Sequence, residues 1–312
     1  MDAPAKTPSD SPAQPTGDSA WGVFLIFLRL GLTSFGGPIA HLAYFRDEFV
    51  HRRRWLTERA YADLVALCQF LPGPASSQVG MALGLSRRGY LGALAAWAGF
   101  TLPSAVALIL LALGLTRYAD TIPPGLLHGL KVVAVAVVAQ AVWGMSKSLC
   151  DNAPKRVFMA LAACATLIAP TAGGQIGVIA GAALAGLLVF RPDATEAHDP
   201  LPVSVSRRDG ALWLSLFGGL LLGLPLLAAV WPGNVLTDIS VFFRSGALVF
   251  GGGHVVLPLL QASVVPNGMV SNEAFLAGYG ATQAVPGPLL SFAAFLGASL
   301  NTTPSGWVGG AI

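Results

Sequence analysis

The chain has 312 residues, of which 54% are hydrophobic and only 11% are charged, and its formal net charge is +3. Soluble domains carry about a quarter charged residues, so this composition excludes an ordinary soluble protein. Without a large polar domain the small positive charge gives no case for nucleic-acid binding, and the three cysteines stand at spacings that predict neither a disulfide framework nor a metal site.

Residues 1–20 are rich in Pro, Ser and Ala, which predicts a disordered tail. The tail lacks the basic start and the apolar core of a cleavable signal sequence. Insertion into a membrane is therefore expected through the first spanning helix.

Apolar segments long enough to cross a bilayer, which takes about 20 residues, occur along the rest of the chain. The clearest are 90–115, 122–145 and 211–231, whereas 22–40 and 235–260 qualify although each contains one arginine and a glycine break. The predicted fold class is an all-α polytopic integral membrane protein.

Two sequence blocks occur twice, in the same order. FLRLGLTSFGGP at 27–38 matches FFRSGALVFGGG at 242–253 in six positions. QFLPGP at 69–74 matches QAVPGP at 283–288 in four positions. This agreement predicts an internal duplication.

The duplication divides the chain into a tail at 1–20, a first repeat at 21–190, a linker with an extra spanning helix at 191–235 and a second repeat at 236–312. Residues 90–190 of the first repeat have no equivalent after the second PGP block. The second repeat is therefore expected to be incomplete here, as in a shortened protein or a fragment of a longer one.

The first PGP block lies between two short apolar segments, 60–71 and 75–85. Twelve helical residues reach only about 18 Å, against a bilayer core of about 30 Å, and the two prolines of PGP cannot continue a helix. Arginines flank the pair of segments on both sides and favour the cytoplasm. We predict a re-entrant hairpin with PGP at its tip; one broken spanning helix is the alternative.

The loop before the second PGP block, 261–273, contains no Lys or Arg. This contrast favours a second copy that faces the opposite way, as inverted repeats in transporters do. Counting 157–170 and 173–190 as two crossings gives an even number of spans between the copies, which instead argues for parallel repeats.

Arg29 lies midway along the apolar segment 21–40, and Arg244 repeats it in the second copy. An arginine near the bilayer centre costs about 2.5–3.5 kcal/mol or more, so such residues usually face a cavity, a partner or a pathway. The guanidinium fork suits anionic oxygens. Snorkelling to the interface or pairing with a carboxylate is the alternative.

Each PGP tip is followed by a helix start, which offers unpaired N–H groups and the positive end of the helix dipole to an anion. Unwound backbone at the glycine breaks is tolerated in a membrane where it lines a cavity or is buried in protein. A proline-kinked helix and close helix packing are the alternatives. The predicted binding residues are Arg29, Phe35, Gly36, Gly37, Gln69, Pro72, Gly73, Pro74, Ser76 and Ser77 in the first copy, and Arg244, Phe250, Gly251, Gly252, Gln283, Pro286, Gly287 and Pro288 in the second.

The first tip is expected to make the main ligand contact, because Ser76, Ser77 and Gln78 follow it and the second tip has a sparser set. Three further ionisable residues, His41, Asp63 and His254, are candidates for proton coupling. A histidine at the interface and an aspartate that pairs with an arginine are the structural alternatives.

No enzyme signature competes with these features, since the chain lacks G-x-S-x-G, H-E-x-x-H, Walker A and C-x-x-C-H motifs. We therefore expect no enzyme activity, no cofactor and no metal. Any transport would run on ion gradients or on the membrane potential.

The block Phe35-Gly36-Gly37-Pro38 with Arg29, followed by QFLPGP at 69–74, resembles the chromate ion transporter (CHR) family, and the second pair of blocks resembles its long-chain, two-domain members. The resemblance implies a multi-pass carrier of the bacterial inner membrane that exports chromate, with sulfate as the related dianion and with oppositely oriented halves. Two departures are the early end of the second domain and Gly253 in the place of Pro38.

The partners expected from this resemblance are the oxyanion and the lipid bilayer, and a homo-oligomer is also considered. A dianion that leaves a cell with a negative interior gains about 4.6 kcal/mol per 100 mV, so the membrane potential alone can drive its export. The alternative is a subunit or fragment of a membrane complex for another oxyanion such as sulfate, inactive alone.

Overall fold

The computed structural model describes residues 19–118, 124–150, 152–168, 172–189, 205–231, 233–249 and 256–312. Within these residues the regular structure is helical throughout, as the sequence predicts for the fold class. The predicted tail (except for its last two residues) and residues 191–204 of the predicted linker lie outside the described residues. The helices are α1 (Ala20–Thr33), α2 (Gly37–Arg46), α3 (Glu58–Phe70), α4 (Ala75–Arg117), α5 (Pro124–Leu149), α6 (Ala153–Ile168), α7 (Ala172–Val189), α8 (Arg207–Val230), α9 (Asn234–Ala247), α10 (Val256–Val264), α11 (Asn272–Ala284), α12 (Phe292–Ala298) and α13 (Gly306–Ala311), with a π-helical turn at Asp47–Arg52 and a 3-10 turn at Leu289–Ser291.

Two of the described helices, α4 and α8, are long and apolar enough to cross a membrane by length and composition. The predicted segments 22–40 and 235–260 are not continuous helices. In the first, α1 ends at Thr33 and α2 begins at Gly37. In the second, α9 ends at Ala247, before the glycine block.

Helix α4 contains a sharp turn at Arg88 and Gly89, whose backbone angles are not helical. Gly84 and Gly92 would be about 12 Å apart along a straight helix. In the structure they face each other across the turn, and a Cβ on either would collide with the backbone carbonyl of the other. The segment 75–87 therefore folds back on the segment 90–117.

The chain also reverses at the first PGP block, between α3 and the segment 75–87. The Arg87 guanidinium, at the end of that segment, lies 4.8 Å from the ring centroid of Trp55, which precedes α3. One broken helix would separate these two ends by about 40 Å, the length of two 13-residue helices. The two short helices therefore form a hairpin, with both ends on one side and PGP at the tip.

Helices α3 and α11, which precede the two PGP blocks, begin with the same kind of cap. The Thr57 hydroxyl accepts a hydrogen bond from the Ala60 N–H at the start of α3, and the Ser271 hydroxyl accepts one from the Ala274 N–H at the start of α11. These caps satisfy N–H groups that a helix start leaves without a partner. Thr57 and Ser271 occupy aligned positions.

The buried apolar residues described form two clusters, and the segment 90–117 belongs to both. Phe100 packs in the first cluster with Phe45, at 5.1 Å between ring centroids. Leu108 and Ile109, two to three turns later, pack in the second cluster, which is formed mainly by α10–α12 and the turns beside them. This segment therefore connects the two clusters.

Candidate functional site

Each PGP tip donates a backbone hydrogen bond to the residue that precedes the FGG block of the other pair of blocks. The Gly73 N–H donates to the Val249 carbonyl at 2.7 Å, and the Gly287 N–H donates to the Ser34 carbonyl at 3.0 Å. Ser34 directly precedes the first FGG block, and Val249 directly precedes the second. The two donors, Gly73 and Gly287, occupy aligned positions, and so do the two acceptors, Ser34 and Val249. The two hydrogen bonds are therefore equivalent and run in opposite directions between the pairs of blocks.

Glycine is required at both tips because the backbone there is left-handed. Gly73 has φ +124° and Gly287 has φ +111°, values that side chains with a Cβ rarely adopt. The flanking prolines fix their own φ angles and donate no hydrogen bond, so the glycine N–H is the donor that each tip presents.

The second tip is enclosed by the first copy. A Cβ on Gly287 would lie 2.7 Å from Ser104 Oγ and 3.4 Å from the Gly31 carbonyl oxygen. Ser104 and Ser34 are buried, and Ser34 Oγ has no hydrogen-bond partner among the described residues. Polar groups therefore gather around this tip inside an apolar region.

The first tip is more open, and its neighbouring amide is engaged within the tip. Gln78 Nε2 donates to the Pro72 carbonyl at 2.8 Å. Ser76 is buried and Ser77 is half-buried at the start of α4, where no side chain caps the helix. The backbone N–H groups of this first turn and the two hydroxyls are the donors that an anion could use here.

Arg29 and Arg244 lie on exposed faces of α1 and α9. Val23, Phe27 and Leu30 form the buried face of α1, and Arg29 points to the opposite side. The described residues contain no ion pair for either arginine. The pairing with a carboxylate that the sequence left open is therefore not found in the described structure.

The remaining predicted residues differ in how deeply they are buried. His41 is fully buried with its ring edge-on to Phe100, at 5.3 Å between centroids. Asp63 is half-buried and Gln69 is exposed, whereas Gln283 is half-buried with Nε2 unpartnered in the described structure. The other predicted positions are Phe35, Gly36, Gly37, Pro72 and Pro74 beside the first break and tip, Pro286 and Pro288 at the second tip, and Phe250, Gly251, Gly252 and His254, which lie outside the described residues.

Sequence reasoning missed the buried carboxylate of Asp238. Only 4% of its surface is exposed, and Oδ2 has no hydrogen-bond partner among the described residues. The sequence contains the signal that could have found this residue, because Asp238 lies within the apolar segment 235–260. Asp63 was selected by the same criterion, an ionisable residue in an apolar segment.

The helical fold and the two described helices that are long and apolar enough to cross a membrane fit the class of helical membrane proteins. Within that class the chain belongs to the chromate transporter family, whose model, described as "Chromate transporter", matches residues 21–187 and 237–312. The relatives named below are transporters and not enzymes. No solved structure matches this chain.

The curated relatives are similar along most of the chain. A chromate transport protein of Pseudomonas aeruginosa is 27% identical over 88% of this chain and 65% of its own length. A probable chromate transport protein of Synechococcus elongatus is 30% identical over 87% of this chain and 67% of its own length. A chromate transport protein of Cupriavidus metallidurans is 27% identical over 92% and 69%. The chain thus spans about two thirds of the length of these relatives.

Proposed function

We propose that this chain is a multi-pass carrier of the inner membrane that exports chromate and accepts sulfate as the related tetrahedral dianion. The observation that carries the proposal is the reciprocal pair of hydrogen bonds, because each PGP tip contacts the residue that directly precedes the FGG block of the other pair. The names of the relatives support chromate as the substrate.

The duplication itself is part of this proposal. An exchange in which one copy's donor meets the other copy's acceptor, and the reverse, is what a two-fold relation produces. The aligned caps at Thr57 and Ser271 support it. So does a second glycine pair, Gly297 and Gly309, which face each other after the second tip as Gly84 and Gly92 do after the first.

The distribution of charge supports opposite orientations of the two copies. The open end of the first hairpin carries Arg52, Arg53 and Arg87, whereas the corresponding loops of the second copy contain no Lys or Arg. Arginines favour the cytoplasmic side, so the first hairpin opens to the cytoplasm and the second to the other side. A two-fold axis in the membrane plane would relate such copies.

The oxyanion site of this proposal lies where the tips and breaks meet. Backbone N–H groups at the start of α4 and the hydroxyls of Ser76 and Ser77 supply hydrogen-bond donors of the kind that bind oxyanions. Arg29 supplies a permanent positive charge on the same helix that ends at the first break. The membrane potential favours outward movement of a dianion.

Export is tested in cells that express the chain. Cells with the verified membrane-inserted protein should accumulate several-fold less radiolabelled chromate than cells with an empty vector. Dissipating the membrane potential with an ionophore should remove most of that difference. Equal accumulation in both cell lines would refute chromate export.

Replacing Arg29 by Ala should abolish export with little loss of folded protein, because this exposed guanidinium contributes little to the core. Lysine should restore export only partly, since an ammonium lacks the planar fork. Arg59→Ala, at another exposed arginine, is the matched control and should export normally. Full export by Arg29→Ala would leave this residue as an interfacial arginine.

A second candidate, a subunit that needs a partner helix, is favoured by one difference between the copies. In α11, Gly280 lies against the backbone of α5 at Leu130. The aligned residue of α3 is Ala66, which is exposed, and Phe70 beside it is 84% exposed. The unwound tip that follows cannot face lipid unprotected, so a further helix, from a second copy or another chain, would cover this face.

This second candidate predicts contact at α3. A cysteine introduced at Ala66 should crosslink to another helix in the membrane, whereas a cysteine at Leu64, which is buried, should not. Native mass measurement of an active monomer would exclude the requirement for a partner chain.

A further inference from the structure

Asp238 is a carboxylate in an apolar part of the second copy. It is 4% exposed on α9, and Oδ2 has no hydrogen-bond partner in the described part of the chain. The aligned residue of the first copy is Val23, which is fully buried in an apolar core. A buried carboxylate oxygen without a hydrogen-bond partner is costly, and a proton on the carboxylate or a nearby cation would lower that cost.

The face of α9 that carries Asp238 leads towards the second tip. Val241 and Phe242 pack on the second apolar cluster, and Ser245 lies on the same face two turns after Asp238, about 10 Å along the helix. A Cβ on Gly246 would lie 3.5 Å from Leu290, the second residue after the PGP tip. Ser245 is buried, and its aligned residue Leu30 is apolar.

Among the described residues, no positively charged side chain lies at the height of Asp238 on the helices that pack against α9. The contact of Phe217 with Phe243, at 6.2 Å, sets the register of the α8–α9 hairpin, so residues 220–226 of α8, all apolar, lie level with Asp238. Helix α10 contains no ionisable residue. The other charged groups described on α8, α9, α11 and α4 are Arg207, Arg208 and Asp209 at the far end of α8, the exposed Arg244 on α9, Glu273 at the start of α11, and Arg87, Arg88 and Arg117 on α4.

We propose that Asp238 is the proton-binding residue of this carrier and that its protonation controls oxyanion binding at the second tip. The carboxylate takes up one proton to become a neutral acid, and no other bond changes. The ionised form repels a dianion at the tip, whereas the neutral form does not. The effect of Asp238 on oxyanion binding rests on the proposed function, whereas the assignment of Asp238 as a proton-binding residue does not.

The test uses the purified full chain in lipid nanodiscs and compares the original chain with Asp238→Asn and Asp238→Glu. Infrared spectra without any oxyanion should contain a carboxylic-acid C=O band in the original chain that Asp238→Asn lacks. Calorimetric binding of sulfate, which stays a dianion in mild acid, should tighten on the order of tenfold on acidification. Asp238→Asn should bind equally at all pH values, and Asp238→Glu should keep the pH dependence. Asp209→Asn, an exposed carboxylate, is the matched control.

An infrared band that persists in Asp238→Asn, or a sulfate affinity in that variant that still follows pH, would overturn the proposal. If neither sulfate nor chromate binds to the original chain but the band is lost in Asp238→Asn, the proton site stands and the proposed substrate falls.

Discussion

Gly287→Ala should reduce chromate export nearly to the level of cells without the protein. Alanine at φ +111° is strained by about 1–3 kcal/mol, and its Cβ would press on Ser104, which is buried. The tip would have to withdraw from the Ser34 carbonyl, which breaks one of the two bonds between the copies. Chromate accumulation and the amount of folded protein in the membrane are measured together.

Gly73→Ala should have a smaller effect, because its Cβ would meet only the flexible end of Gln78. This order reverses the expectation from sequence, which placed the main ligand contact at the first tip. Gly268→Ala is the control for backbone strain alone, since Gly268 has φ +68° and open space around it. Export by Gly287→Ala equal to that of Gly268→Ala would contradict the role of the second tip.

A rescue experiment separates collision from strain. Combining Gly287→Ala with Ser104→Gly removes both Ser104 atoms that the new Cβ would approach. Partial recovery of export in the double variant would demonstrate that the contact is responsible, because the two residues would then couple energetically. No recovery would assign the whole defect to the backbone.

The second large effect is expected at the turn within α4. Gly92→Ala should destabilise the protein by about 3 kcal/mol or more, because its Cβ would collide with the backbone carbonyl of Gly84, which cannot move without opening the turn. Thermal unfolding in detergent, followed by size-exclusion chromatography, measures the loss of folded protein.

Gly114→Ala is the matched control on the same helix, where a Cβ would meet no atom within 4 Å. Alanine is favoured over glycine inside helices by about 1 kcal/mol, so this variant should be as stable as the original chain or slightly more so. Equal unfolding temperatures for Gly92→Ala and Gly114→Ala would show that the turn at Gly89 tolerates opening.

The hairpin at the first PGP block could be predicted because its causes are local. Two prolines stop a helix wherever they occur, and a segment of 12 apolar residues is too short to span. The positions of Arg29 and His41 could not be predicted in the same way. Both lie in apolar sequence, yet one is exposed and the other fully buried, since burial depends on helices distant in the chain.

The sequence by itself determined the helical membrane class, the family and the paired blocks, because composition, apolar length and motif order are properties of the chain that need no contacts. The division into repeats and the binding residues remain predictions. Only the tertiary structure decided which groups meet: the Gly73 N–H with Val249, the Gly287 N–H with Ser34, and Asp238 without a described partner at Oδ2. The reason is that a backbone donor at a helix break carries no sign of its acceptor, and long-range packing selects it.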